Sequence, residues 1–332
     1  MKAPVLLLFG PTASGKTALL ERLFAGPKAP FKAEIVSADS MQVYRGMDIG
    51  TAKPSPHLRS ILRHHLIDIR DPSEVFSLGD FVPLAQKAWA DIASRGALPV
   101  ISGGTGFYLK NFVLGLPETP PSDLSIREQV RTELAERGAA ALMAELRLAD
   151  PVSAARIHLN DTYRLTRALE VFRSTGRPLS SFAASGSAPR EESDSIPDDP
   201  STNNAPHPEY DFLCLGLDRD RDELYRRINE RTRAMFDAGL PEEVSILRAA
   251  GYGPDSPGMR AIGYREFFLE DGTICTDHEA LISRIAQNSR HYAKRQITFF
   301  SAIPGARFIP AGDEDMAVEE IRRAVEGLLG NR

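Results

Sequence analysis

Val5-Leu6-Leu7-Leu8-Phe9-Gly10-Pro11-Thr12-Ala13-Ser14-Gly15-Lys16-Thr17, near the start of the chain, decides the fold. Five apolar residues in a row, closed by Gly-Pro, read as a short strand buried on both faces. Leu19, Leu20 and Leu23 follow at helical spacing. Between strand and helix, Gly10–Thr17 fits G-x-x-x-x-G-K-[ST]. In that loop the glycines let backbone N–H groups wrap phosphate oxygens, Lys16 adds a point charge, and the Thr17 hydroxyl can ligate Mg²⁺. The flanking elements are the context the motif requires, so a phosphate site is expected here. The loop leaves open what carries the phosphate.

Downstream, short apolar runs alternate with helical patterns. Ala33–Ser37 reads as a strand ending near Asp39, His65–Ile69 as a weaker strand, Phe81–Ala93 as a helix, and Leu98–Ser102 as a strand entering Gly103-Gly104-Thr105-Gly106. This alternation predicts an α/β fold, a P-loop parallel sheet flanked by helices, with ligands at the carboxyl ends of the strands. Pro117, Pro120 and Pro121 mark a break. Helical stretches follow over Ile126–Glu136, Ala139–Leu148 and Asp161–Ser174. The last has Leu165, Leu169 and Phe172 at i, i+4, i+7 and is capped by Asn160 or Asp161. A strand over Asp211–Leu217 rejoins the sheet, and helices beginning with Asp222–Ala238 complete the chain. The expected organisation is a P-loop core over 1–120, an all-helical insertion domain over 121–184, an acidic disordered loop over 185–209, and the rest of the core, with basic C-terminal helices, over 210–332.

Composition narrows the class. Of 332 residues 42% are hydrophobic and 26% charged, ordinary for a folded water-soluble protein. Cys214 and Cys275 stand far apart in no ligand spacing, which argues against a disulfide framework or a zinc site and suits a reducing cytoplasm. No apolar run approaches the ~18 residues of a membrane span. The net charge of −5 argues weakly against a nucleic-acid partner, but it is localised. Glu191, Glu192, Asp194, Asp198, Asp199 and Glu209 against Arg190 alone account for all of it. That segment is rich in Ser, Pro and Asn and too poor in large apolar residues to offset the entropy of ordering.

Asp39, in Ser37-Ala38-Asp39-Ser40, admits three roles: an acid holding Mg²⁺ for an ATP-using enzyme, a general base, or a helix cap. The glycines of Gly103-Gly104-Thr105-Gly106 permit close backbone approach, with Thr105 available to a ligand, although a tight turn explains them as well. Basic residues fall in three groups. His158, Arg164 and Arg167 surround one helix start, and Arg219, Arg226 and Arg233 recur every seven residues. Arg284, Asn288, His291 and Arg295 form a stripe beside Ile285, Ser289, Tyr292, Gln296 and Phe299. A solvated face is the usual reason for any one such group, but three of them on a chain with a phosphate site favour a polyanion partner.

Several motifs then occur in order: Gly10–Thr17; Ser37-Ala38-Asp39-Ser40-Met41-Gln42-Val43-Tyr44; Gly46-Met47-Asp48-Ile49-Gly50-Thr51-Ala52-Lys53-Pro54; His65-Leu66-Ile67-Asp68; Gly103-Gly104-Thr105; Asn160-Asp161; Arg164 to Arg167 with Ala168-Leu169-Glu170; Gly263-Tyr264-Arg265; and Ala293-Lys294-Arg295-Gln296. Together they resemble the successive signatures of the tRNA dimethylallyltransferases and cover nearly the whole chain outside the acidic segment. The run Asp48–Pro54 and the pairing of Asp39-Ser40 with the P-loop are the most diagnostic.

The resemblance implies a transferase that moves a dimethylallyl group from dimethylallyl diphosphate to N6 of the adenosine 3′-adjacent to the anticodon. It implies that Gly10, Pro11, Thr12, Ala13, Ser14, Gly15, Lys16 and Thr17 hold the diphosphate, with Mg²⁺ on Thr17. Asp39 falls at the position of the base for the adenine amine, and Thr12 and Arg260 beside it in the catalytic set. Asp39, Ser40, Met41, Gln42, Thr105, Arg127, Tyr163, Arg164, Leu165, Thr166 and Arg167 correspond to positions that contact the tRNA anticodon stem-loop. The implied form is a cytoplasmic monomer of bacterial type, without the C-terminal zinc finger of eukaryotic relatives. Two departures stand out: Met41 replaces the arginine often found after Asp-Ser, and the acidic loop is longer than usual. The rival readings are an ATP-dependent small-molecule kinase using the same loop and a non-catalytic RNA-binding P-loop protein.

Overall fold

A computed structural model describes residues 3–27, 29–115, 120, 122–182, 210–269 and 272–330. The acidic segment 185–209 lies outside the described residues. The chain divides into two compact units, one formed by Met1–Val113 with Pro208–Arg332 and the other by Leu114–His207.

The first unit is built on a six-stranded, all-parallel sheet in the order β3-β2-β4-β1-β5-β6. Its strands are β1 (Ala3–Phe9), β2 (Ala33–Ser37), β3 (His64–His65), β4 (Leu98–Gly103), β5 (Tyr210–Asp218) and β6 (Arg307–Pro310). Parallel neighbours need crossovers, supplied here by α1 (Lys16–Phe24), α2 (Pro56–Ile61), α3 (Leu78–Ser94), α4 (Gly106–Leu114), α8 (Arg221–Asp237), α9 (Leu240–Ala249) and α10 (His278–Phe300). After the last strand, α11 (Glu314–Gly330) folds back onto the sheet. Because β1 is central, successive residues face opposite layers and all are apolar. Val5, Leu7 and Phe9 pack with Phe81, Phe112 and Phe300 on one side. Leu6 and Leu8 pack with Leu19, Leu23, Ile321 and Val325 on the other. This is the environment a continuous apolar run predicts.

β3 is shorter than the expected His65–Ile69, since Leu66 and Asp68 take positive φ of 63° and 58° and turn the chain out of the sheet. Asp68 is held there by Lys53 at 2.5 Å and Arg59 at 2.6 Å. The edge strand β6 was not expected: four residues with only Ile309 buried carry no alternation to read.

The second unit is helical: α5 (Leu124–Ala149), α6 (Pro151–Arg156) and α7 (Thr162–Thr175). α5 is two helices across a kink at Gly138 (φ 77°, ψ 163°), which is where the sequence separates Ile126–Glu136 from Ala139–Leu148. Asp161, not Asn160, caps α7, its carboxylate accepting from Arg164 N at 3.1 Å. Val130, Leu142, Met143, Leu146, Leu165 and Leu169 form the core of this unit.

Candidate active site

The carboxyl ends of β1, β2 and β4 open into a cavity of about 840 Å³ inside the first unit. Its floor is the P-loop. Gly15 (φ 101°) caps α1 in the left-handed region, and Ala13 (φ 64°) shares it. Two arginines brace the loop through its carbonyls: Arg219 Nε donates to Ser14 O at 3.3 Å and Arg227 Nε to Ala13 O at 2.9 Å. With the carbonyls so engaged, the first-turn N–H groups of α1 remain for an anion.

Lys16 Nζ donates to Gly10 O at 2.6 Å and Pro11 O at 3.0 Å. Burial and the Arg231 guanidinium lower its ammonium to about 8, against the opposing pull of Asp39. Arg231, on α8, donates to Thr12 Oγ1 at 3.2 Å and is itself lowered by burial and raised by Asp39. Lys16, Arg231, Thr12 and Asp39 therefore stand together at the phosphate end of the cavity. Arg260 is exposed at the same cavity, and its guanidinium has no partner among the described residues.

Asp39 stands just past β2. One carboxylate oxygen accepts Met41 N at 2.9 Å and Gln42 N at 3.3 Å, which fixes the side chain in a local turn. Ser40 N donates to Thr105 Oγ1 at 3.0 Å, joining the turn after β2 to that after β4. A Cβ at Gly103 would overlap the Ala38 carbonyl, so that approach needs glycine. Buried Gln296 spans the site: its Oε1 accepts Thr12 N at 2.9 Å and its Nε2 donates to Gly104 O at 2.7 Å. Beside it the Tyr292 hydroxyl is pushed up to about 12 by burial and by Asp39.

The donors near Lys16 are oxygens: the Thr17 hydroxyl, the Asp39 carboxylate and the Ser14 hydroxyl, which is buried without a partner. Such a set suits a hard cation. Among the described residues no group of three or more His, Cys, Asp or Glu could cage a metal. A Mg²⁺ ion here would take most of its ligands from substrate phosphate and water, its usual mode of binding.

Thr12–Thr17, Asp39–Gln42 and Arg260 thus line one cavity, while Gly10 and Pro11 hold Lys16 through their carbonyls and Thr105 holds Ser40 N without lining it. Met41 also packs partly against the core. Arg127, Tyr163, Arg164, Thr166 and Arg167 belong to the helical unit. Tyr163 is 71% exposed, and Arg164 pairs with Asp161 at 3.3 Å. Leu165 is fully buried in the core of its unit, so its side chain packs there and leaves only its backbone for a contact with RNA. Arg167 is already engaged with Glu170 and, at 2.7 Å, with Pro120 O.

The heptad Arg219, Arg226, Arg233 is a correction. Arg219 is buried against Glu223 and Ala311 O, Arg226 pairs with Glu230 at 2.7 Å, and Arg233 pairs with Glu279 at 3.6 Å. The cavity instead receives Arg227 and Arg231, one helical turn apart, which the sequence reading passed over. On α10 the stripe Ile285, Ser289, Tyr292, Gln296 lines the cavity together with Arg295, while Asn288 is held by Glu266 at 2.7 Å.

Fold and cavity define an α/β protein with a P-loop, suited to a phosphorylated ligand, beside a fixed carboxylate. Residues 42–302 match the family model described as IPP transferase. The chain is 44% identical to the tRNA dimethylallyltransferase of Geobacter sulfurreducens over 93% of its own length and 92% of the relative's. It is 43% identical to that of Halorhodospira halophila over 99% of both. A crystal structure of the tRNA isopentenylpyrophosphate transferase from Bacillus halodurans, 35% identical, covers 99% of this chain and 98% of that one with a TM-score of 0.66. A eukaryotic dimethylallyltransferase solved acting on tRNA has a TM-score of 0.79 at 24% identity, covering 99% of this chain and 80% of that one, a likeness of fold. The chain belongs to the IPP transferase family, that of the tRNA dimethylallyltransferases, and is an enzyme. The kinase and binding-module alternatives fall away.

Proposed function

We propose that this enzyme transfers a dimethylallyl group from dimethylallyl diphosphate to N6 of the adenosine 3′-adjacent to the anticodon, acting as a cytoplasmic monomer. The observation that carries the reading is the convergence of a P-loop, the cations Lys16, Arg231 and Arg260 among others, and Asp39 on one cavity. In the reaction the N6–C1 bond forms as the C1–O bond breaks. Negative charge grows on the departing diphosphate and positive charge on the prenyl carbon. Lys16, Arg231, Arg260, the Thr12 hydroxyl and the first-turn N–H groups answer the former, as donors fixed before the charge develops. Bound through the Thr17 hydroxyl, Mg²⁺ would neutralise further charge on the diphosphate. Asp39, with one oxygen fixed by backbone N–H groups, accepts the amine proton.

An adenine stacked in an anticodon loop cannot reach so enclosed a site, so the base is flipped into the cavity. Ser40, Met41 and Gln42 line that cavity and are the proposed contacts of the base and its neighbours, with Thr105 bracing Ser40. Arg127, Tyr163, Arg164 and Thr166 supply the contacts of the helical unit to the stem-loop, and Arg167 steadies that unit by holding buried Glu170. Mass spectrometry of tRNA nucleosides after incubation with dimethylallyl diphosphate and Mg²⁺ tests the reading. A mass gain on the adenosine beside the anticodon is expected. Unmodified tRNA, or prenyl on another nucleoside, would overturn it.

A further inference from the structure

The run Asp48–Pro54 has no counterpart among the groups that touch donor or amine, yet it walls the same cavity through Gly50, Thr51, Ala52 and Pro54. Its conformation is set from a distance by one carboxylate. Glu243, in the first turns of α9, accepts three successive backbone N–H groups: Asp48 at 2.9 Å, Ile49 at 2.9 Å and Gly50 at 3.2 Å. It accepts a fourth bond from the Tyr264 hydroxyl at 2.6 Å. Tyr264 is fully buried, and its ring lies so close over Gly50 that a Cβ there would collide with it. Tyr264 also sits within the segment that gives the cavity Arg260, Ala261, Ile262 and Arg265. One carboxylate thus ties two walls of the site together without lining it.

The hydrogen bonds continue inward. The Gln42 amide donates to Thr51 O and Ala52 O, both at 3.3 Å, and its Oε1 accepts the Ser37 hydroxyl at 3.1 Å. Gln42 N in turn donates to Asp39 Oδ1. A carboxylate with three N–H donors and a hydroxyl is a charge-assisted set, roughly twice as strong per bond as neutral pairs. Once formed, it leaves the loop little freedom to move the Thr51 and Ala52 carbonyls that hold Gln42. We propose that Glu243 is a positioning residue for the transfer step, holding the Asp48–Ala52 loop so that Gln42 keeps the Asp39 carboxylate aimed into the cavity. This deepens the functional reading above and rests on it.

The experiment uses the full chain and separates positioning from plain stability. Glu243→Gln keeps the size of the side chain but leaves one acceptor oxygen for four donors. Tyr264→Phe removes a single bond and serves as a milder second variant. With active-site concentration titrated by inorganic diphosphate binding in Mg²⁺, the Glu243→Gln single-turnover rate is expected to fall at least tenfold. Tyr264→Phe should fall about threefold. The dissociation constant for inorganic diphosphate should change less than twofold in both, because the P-loop is held by other residues. In the Gln42→Ala background, Glu243→Gln should cost less than threefold, since the path to Asp39 is already cut. Equal costs in both backgrounds, or a rate per active site like wild type, would overturn the assignment. So would a loss of diphosphate binding in step with the rate. Failure of the wild-type enzyme to prenylate tRNA would strike the functional reading instead, a separate outcome.

Discussion

Asp39 and Lys16 line the same cavity close enough for the carboxylate to raise the lysine's affinity for its proton. The sequence left Asp39 open as a base, a metal ligand or a cap. The structure gives it backbone donors on one oxygen and a place in the cavity beside Lys16 and Arg231. Asp39→Asn should leave donor and tRNA binding close to wild type while the single-turnover rate falls ~10²–10⁴-fold. Recovery of most activity at high Mg²⁺ would show a metal ligand instead. Lys16 allows a pH test. Its unliganded ammonium sits at about 8, and phosphate oxygens favour the charged form, so binding raises that value. Diphosphate affinity should therefore hold below pH 8 and weaken by up to about tenfold per pH unit above it, as a proton must be taken up on binding. Calorimetric titration from pH 7 to 9.5 reads this, and Lys16→Ala should lose the slope. Arg231 shows the limit of motif reading, because only the packing of α8 against the P-loop distinguishes it from its exposed neighbours.

At the scale of elements, periodicity found the long helices and the central strands, but not the short α2, α4 and α6, nor α9, α11 and β6, nor the direction each face points. Apolar spacing predicts α7 and α8 to within a residue or two, because their buried stripes are what spacing encodes. The same logic misled for arginines, whose long side chains cross faces and pair locally. Gln296 on α10 links the P-loop to the turn after β4 and is buried, so Gln296→Ala leaves Thr12 N–H without its partner and Gly104 O with only the 3.4 Å bond from the Tyr292 hydroxyl. A stability loss of about 1–3 kcal/mol is expected in denaturant unfolding, accompanied by weaker diphosphate binding. For the basic helices the expectations divide. Arg295 lines the cavity and stands over the Tyr292 ring at 5.8 Å, so Arg295→Gln should flatten the salt dependence of tRNA affinity by about one unit of log–log slope. Arg167 holds buried Glu170, so Arg167→Gln should instead destabilise the protein by about 1.5–3 kcal/mol. An unchanged unfolding free energy there would return Arg167 to the RNA-contacting set.

The whole molecule poses a question of charge. A protein proposed to grip an anticodon stem-loop carries a net −5, and all of that sits between residues 185 and 209. The remainder is neutral, with cations gathered at the cavity. The acidic segment therefore sets the far field an approaching tRNA meets, whereas Lys16, Arg231 and Arg260 set the near field at the reaction. Long-range repulsion acts on encounter and is screened beyond roughly 8 Å at physiological salt. Deleting residues 185–209 should accordingly leave the single-turnover rate with saturating tRNA within about twofold of wild type. The association rate constant should rise several-fold at low ionic strength, and that gain should vanish as salt approaches ~0.5 M. Stopped-flow binding of labelled anticodon stem-loop over a salt series measures both. A fall in the saturated rate would mean that the segment contributes to the site. An acceleration that persists at high salt would mean that it blocks tRNA by volume rather than by charge.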